Sequence, residues 1–249
     1  MSGHSKWSSI KHKKAAVDSK RGAMFTKLAR VITVAARDGG GDPDSNATLA
    51  NAIQKAKDFR MPKDNIERAV ARGTGEDKDG VVLEEIVYEG YGPGGIALLI
   101  QCLTDNRNRT GSDVRSTLTK NGGSLGEPGS VAWHFEKKGV IIVDVDKYSE
   151  DDLFVAIDAG AEDINTDDHA YEIVTEPSEM VAVRAALEEA GVELQSADVV
   201  QRPKTRTEVD ETVAGKLLRL IDLLEENDDV NEVSANFDIS TEVLEKLSA

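Results

Sequence analysis

Apolar residues recur along this chain in two rhythms, and the change from one to the other falls near residue 80. Phe25, Leu28, Ile32 and Ala36 repeat at helical spacing, with Lys20, Lys27, Arg30 and Arg37 on roughly the opposite face. Val31 and Val34 lie nearer the basic side, so the separation is imperfect. The spacing predicts a helix to about Arg37, stopped by Asp38-Gly39-Gly40-Gly41-Asp42-Pro43. Leu49, Ile53 and Ala56 mark a second helix. Pro62 interrupts, and Ile66, Ala69 and Val70 mark a third, closing near Gly73. Residues 1–22 are rich in Lys and Ser and carry no apolar stripe, so they read as an arm ahead of a three-helix domain.

Beyond a polar, glycine-bearing linker at Gly73–Gly80 the period shortens to that of strands. Glu85–Tyr91 and Ile96–Thr104 flank Gly92-Pro93-Gly94-Gly95 and predict a hairpin. A helix with Val114 and Leu118 follows, then a strand at Val131–Phe135. That series is one helix and one strand short of a ferredoxin-like sandwich. A second series has a strand at Val140–Val145, a helix behind Ser149 and Asp152, a strand at Ala170–Thr175, a helix from Pro177 to Gly191, and a strand near Val199. The helix carrying Val213, Leu217, Leu220, Ile221 and Leu224, with a strand at Val230–Phe237, supplies the pieces missing from the first. The expected class is α+β: a helical N-terminal domain (residues 1–75), then a discontinuous ferredoxin-like domain (82–136 and 204–249). A second ferredoxin-like domain (137–203) is inserted into it.

Composition narrows the functional classes. The longest apolar runs are strand-sized, which excludes a bilayer-spanning helix. The N-terminus has no signal-peptide pattern, and the single cysteine, Cys102, excludes a disulfide framework and a cysteine-rich metal site. The expected location is cytoplasmic. His4, His12, His134 and His169 are scattered, which argues against a metal site, and no phosphate-cradling glycine motif precedes a helix. No catalytic residue, metal, cofactor or small-molecule substrate is expected.

The formal net charge is −16, but it is unevenly spread. Residues 1–72 hold 15 Lys and Arg against 7 Asp and Glu, while residues 73–249 hold 15 against 39. At physiological salt the Debye length is about 8 Å, so the acidic body does not forbid polyanion binding by a basic arm. Lys6, Lys11, Lys13, Lys14, Lys20, Arg21, Lys27 and Arg30 are the candidate phosphate contacts. Trp7 and His12 lie among them and are candidates for stacking on exposed bases, although packing is the plainer role for Trp7. Arg107 and Arg109, in the segment Thr104–Thr110 between a strand and a helix, form a second candidate contact. The plainer reading of that segment is that Asn108 or Thr110 caps the helix while the arginines pair with local acids. The glycine-bearing stretch Ser124–Ser130 reads as a shaped connection.

Several longer stretches are distinctive together: Gly3–Trp7 with Ile10–Lys14, Gly39–Pro43, Pro62–Ala69, Tyr88–Gly95, Thr104–Thr110, Leu125–Val131 and Asn236-Phe237-Asp238. Through them the whole chain resembles the YebC/PmpR family, which includes mitochondrial translational activators of cytochrome oxidase subunit one. Asn46-Ala47-Thr48 departs from the proline common there. The resemblance implies three domains, no cofactor, and a role in gene expression, described for members as DNA-binding transcriptional regulation or as translation at the ribosome. The expected partner is therefore nucleic acid, either DNA or ribosomal RNA. A protein partner on the acidic domains is the rival reading.

Overall fold

The computed structural model describes residues 18–75, 83–166 and 170–248. Helix α1 (Asp18–Gly39) packs against both α2 (Ala47–Asp58) and α3 (Lys63–Gly73). Their shared core joins Leu28, Ile32, Ala35 and Ala36 to Leu49, Ala52 and Ala56, and to Met61, Ile66 and Ala69. α1 starts inside the stretch read as an arm, at Asp18, with the good helix formers Lys20 and Arg21 in its first turn. Its buried face is also wider than the spacing predicts: Thr33 and Val34 are both covered. Thr33 Oγ1 donates to the Ala69 carbonyl at 3.0 Å, at a close crossing of α1 and α3. A Cβ added to Gly73 would lie 2.3 Å from the Thr33 carbonyl oxygen and 2.7 Å from Ala36 Cβ. Asn46 caps α2, accepting from Leu49 N–H while its amide donates to the Ala35 and Gly40 carbonyls, so one side chain also fixes the turn out of α1.

The first sheet runs, in spatial order, β3 (Ser124–Leu125), β1 (Glu84–Tyr91), β2 (Ala97–Thr104) and β9 (Val230–Ala235), with every neighbouring pair antiparallel. Strands β1 and β2 form the expected hairpin, with Gly94 and Gly95 at positive φ in its turn. β2 is the near-continuous apolar run of a central strand. Helix α4 (Arg107–Lys120) leads to β3, which is only Ser124–Leu125. The strand expected at Val131–Phe135 is absent: Ala132–His134 is a 3-10 turn, and β4 begins at Phe135. The cause is Glu89, whose carboxylate accepts from the backbone N–H groups of Gly129, Val131 and Ala132 at 2.6, 2.6 and 2.8 Å. Those donors are no longer available to a ladder.

The second sheet is built from β4 (Phe135–Asp144), α5 (Phe154–Asp158), β5 (Ala161–Thr166), β6 (Ala170–Thr175), α6 (Met180–Glu189) and β7 (Leu194–Pro203). Its order, β5-β6-β4-β7, with every pair antiparallel, is the ferredoxin-like arrangement. β5 was not apparent in the sequence, because an exposed edge strand reading Ala-Glu-Asp-Ile-Asn-Thr has too few apolar positions to alternate. After β8 (Thr207–Glu208) the chain returns through α7 (Glu211–Glu225) to β9 (Val230–Ala235), which completes the first sheet beside β2. The strand expected at Val230–Phe237 breaks at Asn236. Phe237 opens β10 (Phe237–Asp238), parallel to β8, and α8 (Thr241–Ser248) follows. The class is α+β. The described residues of Lys14–Trp133 with Val209–Ala235 form one compact unit, and His134–Glu208 with Asn236–Ala249 form another.

Replacing Gly73 with Ala is expected to push α3 off α1 and destabilise the helical region by about 1–3 kcal/mol. Thermal unfolding checks this. A variant melting within a degree of the parent would contradict the crossing.

Candidate nucleic-acid interface

Of the candidate contacts, Lys6, Trp7, Lys11, His12, Lys13 and Lys14 lie outside the described residues. Lys20 and Arg21 fall in the first turn of α1. The structure places Lys27, Arg30 and Arg37 against the rest of their own unit. Lys27 Nζ donates to the carbonyl of Glu225, at the end of α7. Arg30 Nη1 donates to the carbonyl of Asp228 at 2.7 Å and to Asp229 Oδ1 at 3.0 Å. Arg37 binds Asp38 at 2.7 Å and the Leu83 carbonyl. Lys27 therefore satisfies a carbonyl that the end of α7 leaves open and that the helix dipole makes negative.

The second candidate segment converges on the same point. Asn106 is the cap of α4, rather than Asn108 or Thr110, and its side chain accepts from Arg109 N–H at 3.1 Å. Arg109 Nη2 reaches Asp229 Oδ2 at 2.6 Å and Asp105 at 2.8 Å. The hydroxyls of Thr110 and Thr104 lie 2.8 and 3.3 Å from the same Asp229 oxygen. Arg107 stays exposed, with Glu84 at 3.8 Å. The plainer reading of the arginines, pairing with acids, is what Arg109 does here.

Asp229 is the group that sequence reasoning missed. It is 4 % exposed and receives two guanidinium groups, from α1 and α4. Burial pushes its carboxyl up, but the hydrogen bonds from Arg109, Thr110 and Arg30 outweigh this and hold it below the ordinary aspartate value. In the sequence it stands in Glu226-Asn227-Asp228-Asp229, which reads only as a polar stop after α7. The end of α2, the α2–α3 connection and the start of α3 add cations that the sequence reading did not single out. Lys57, Arg60, Lys63 and Arg68 are all exposed there, and Arg60 sits at a positive φ of 58°. Among the described residues no cluster of His, Cys, Asp and Glu is placed to hold a metal, and no helix is long and apolar enough to cross a membrane.

Two family models match the chain. One, described as the TACO1/YebC protein N-terminal domain, covers residues 5–76. The other, described as the TACO1/YebC second and third domain, covers residues 83–237. A protein of Rubrobacter xylanophilus named probable transcriptional regulatory protein is 55% identical over 249 residues, covering all of both chains. One of Persephonella marina with the same name is 56% identical over 251 residues, again with full coverage. The crystal structure of a conserved hypothetical protein, Aq1575, from Aquifex aeolicus superposes with a TM-score of 0.82 at 46% identity, covering 94% of this chain and 97% of that one.

Exchanging Asp229 for Asn removes the buried carboxylate that two partly exposed arginines share, and a loss of about 1–3 kcal/mol is expected. The sign with pH follows from the depressed carboxyl. Its stabilisation is complete above the ordinary aspartate value of about 3.9 and is lost as pH falls through the lower folded value. Urea unfolding of the parent between pH 3 and 7 should show stability falling in acid, with a shallower fall in Asp229→Asn. Parallel profiles would refute the assignment.

Proposed function

The chain belongs to the TACO1/YebC family, and on that premise we propose that it is a cytoplasmic regulator of gene expression that grips a nucleic-acid backbone through its basic N-terminal segment. The observation that carries this reading is the charge asymmetry, with an excess of 8 positive charges over residues 1–72 of an otherwise acidic chain. Lys6, Lys11, Lys13, Lys14, Lys20 and Arg21 are the proposed backbone contacts. Arg107, which is exposed, and the cations around the α2–α3 connection extend the basic surface. Lys27, Arg30 and Arg109 act in this reading by fixing the elements that carry the contacts, since their charged ends are already engaged. The relatives' shared name is that of a transcriptional regulator rather than of an enzyme, which supports DNA as the target.

A second reading, ribosomal RNA as the target, is favoured by Trp7 and His12 among the lysines, because aromatic side chains stack on unpaired bases. The two readings differ in what the chain travels with.

If six phosphates are neutralised, log K should fall with log salt at a slope of about −5 on duplex DNA or about −4 on single strands. Converting the six N-terminal cations to Ala should remove most of that slope. Salt-independent binding, or binding unchanged in the variant, would overturn the proposal. Sedimentation of a lysate through a sucrose gradient separates the targets: co-migration with ribosomes, lost in the variant, selects RNA over DNA.

A further inference from the structure

Five large apolar side chains are exposed among the described residues, and three of them, Phe154, Ile157 and Val181, belong to the helical layer of the second sheet. They are 51, 42 and 46 % exposed, whereas the opposite faces of the same helices are closed in the core through Ala156 on α5, with Leu153 just ahead of it, and Met180, Val183 and Leu187 on α6. α5 and α6 pack against each other. Where they meet, a Cβ at Gly160 would lie 3.6 Å from Glu179 Cβ. Ile157 is three residues before that contact and Val181 two residues after it, so both belong to the region where the end of α5 adjoins the first turn of α6. Single exposed apolar residues are ordinary. Three on two helices that pack against each other, with the hydrophobic requirement beneath already met, suit a surface that associates.

The surroundings specify with what. From Glu150 to Ala190 the chain carries thirteen Asp and Glu and a single Arg, Arg184, which is spent on Glu188 at 2.8 Å. Glu150, Asp151, Asp158 and Glu179, on and beside the two helices, are exposed. An apolar centre with an acidic rim repels nucleic acid, anionic lipid and a second copy of itself, and it complements a cationic amphipathic segment.

We propose that the outer face of α5 and α6 is a docking site for a Lys- and Arg-rich protein segment that brings its own apolar side chains, as an amphipathic helix does. The apolar centre supplies affinity, and the rim excludes acidic competitors and steers approach. Together with the proposed N-terminal nucleic-acid contact, this site gives a protein bound through its arm a means of engaging a second macromolecule.

The test uses the full chain and a fluorescein-labelled 14-residue peptide of leucine and lysine at helical spacing, read by anisotropy. A serine–lysine peptide of equal charge and a leucine–glutamate peptide serve as comparisons. The wild type should bind the leucine–lysine peptide at least tenfold more tightly than either comparison peptide, and tenfold more tightly than Phe154→Ser/Ile157→Ser does. Val181→Ser, on the other helix, gives a second readout should the double variant fail to fold. Equal affinity for the serine–lysine peptide would reduce the site to bulk charge, and equal affinity of the variants would move it elsewhere; either overturns the proposal. So would self-association in sedimentation velocity that the variants abolish, which would make the face an interface between copies. A tenfold gain in peptide affinity on deleting residues 1–22 would likewise overturn it, by making the chain's own arm the occupant.

Discussion

A carboxylate taken out of water must have its charge answered, and the way Asp229 is answered organises the first unit. The residue stands in the short connection between α7 and β9. Its partners come from α1 (Arg30), from the end of β2 (Thr104) and from the first turn of α4 (Arg109 and Thr110). The Asp229 carbonyl also accepts from Leu103 N–H at 2.8 Å, so backbone and side chain both serve the join. Apolar packing tells each helix which face to bury but is tolerant of slippage. A carboxylate with two guanidinium groups and two hydroxyls is directional, and it gives the helical region a defined place beside the sheet of its own unit.

That constraint shows what charge patterning alone leaves out on α1. Lys27, Arg30 and Arg37 form a cationic stripe opposite an apolar one, which is the pattern of a solvated or polyanion-binding face. The carbonyls they satisfy come from Glu225, Asp228 and Leu83, far along the chain, and a backbone carbonyl leaves no trace in a sequence. Asp229 itself is one acid in an acid-rich run. What the sequence does make legible is local. Stripes such as Leu28/Ile32/Ala36 and Leu217/Ile221/Leu224 gave the helices their buried faces. The glycine turn at 92–95 gave the hairpin, and the count of elements pointed to a chain that returns to its first sheet.

The elements that escaped did so for identifiable reasons. β5 is an exposed edge with little apolar content, so no alternation signals it. Val131–Phe135 has the composition of a strand, yet its backbone donors are captured by Glu89, forty residues upstream. Burial pushes the Glu89 carboxyl up, but that capture holds it below the ordinary glutamate value and ties a strand-like segment down as a turn. Family likeness reaches further than these local signals because it covers the whole chain at once. It identifies the kind of protein, whereas the assignment of roles to individual cations comes from geometry.

The placement of β9 has a bearing on how the molecule comes into being. β2 is central in the finished sheet, but its neighbour on one side arrives only with Val230, about 125 residues after Thr104. At synthesis speeds of roughly 5–20 residues per second, that delay is on the order of 6–25 seconds. Throughout it a strand of Ala97-Leu98-Leu99-Ile100 has an open edge, while the second sheet is already complete in sequence by Pro203. The growing chain thus finishes its later sheet before its earlier one, and the acid-rich stretches emerging in between help keep an apolar, half-paired hairpin from joining others of its kind.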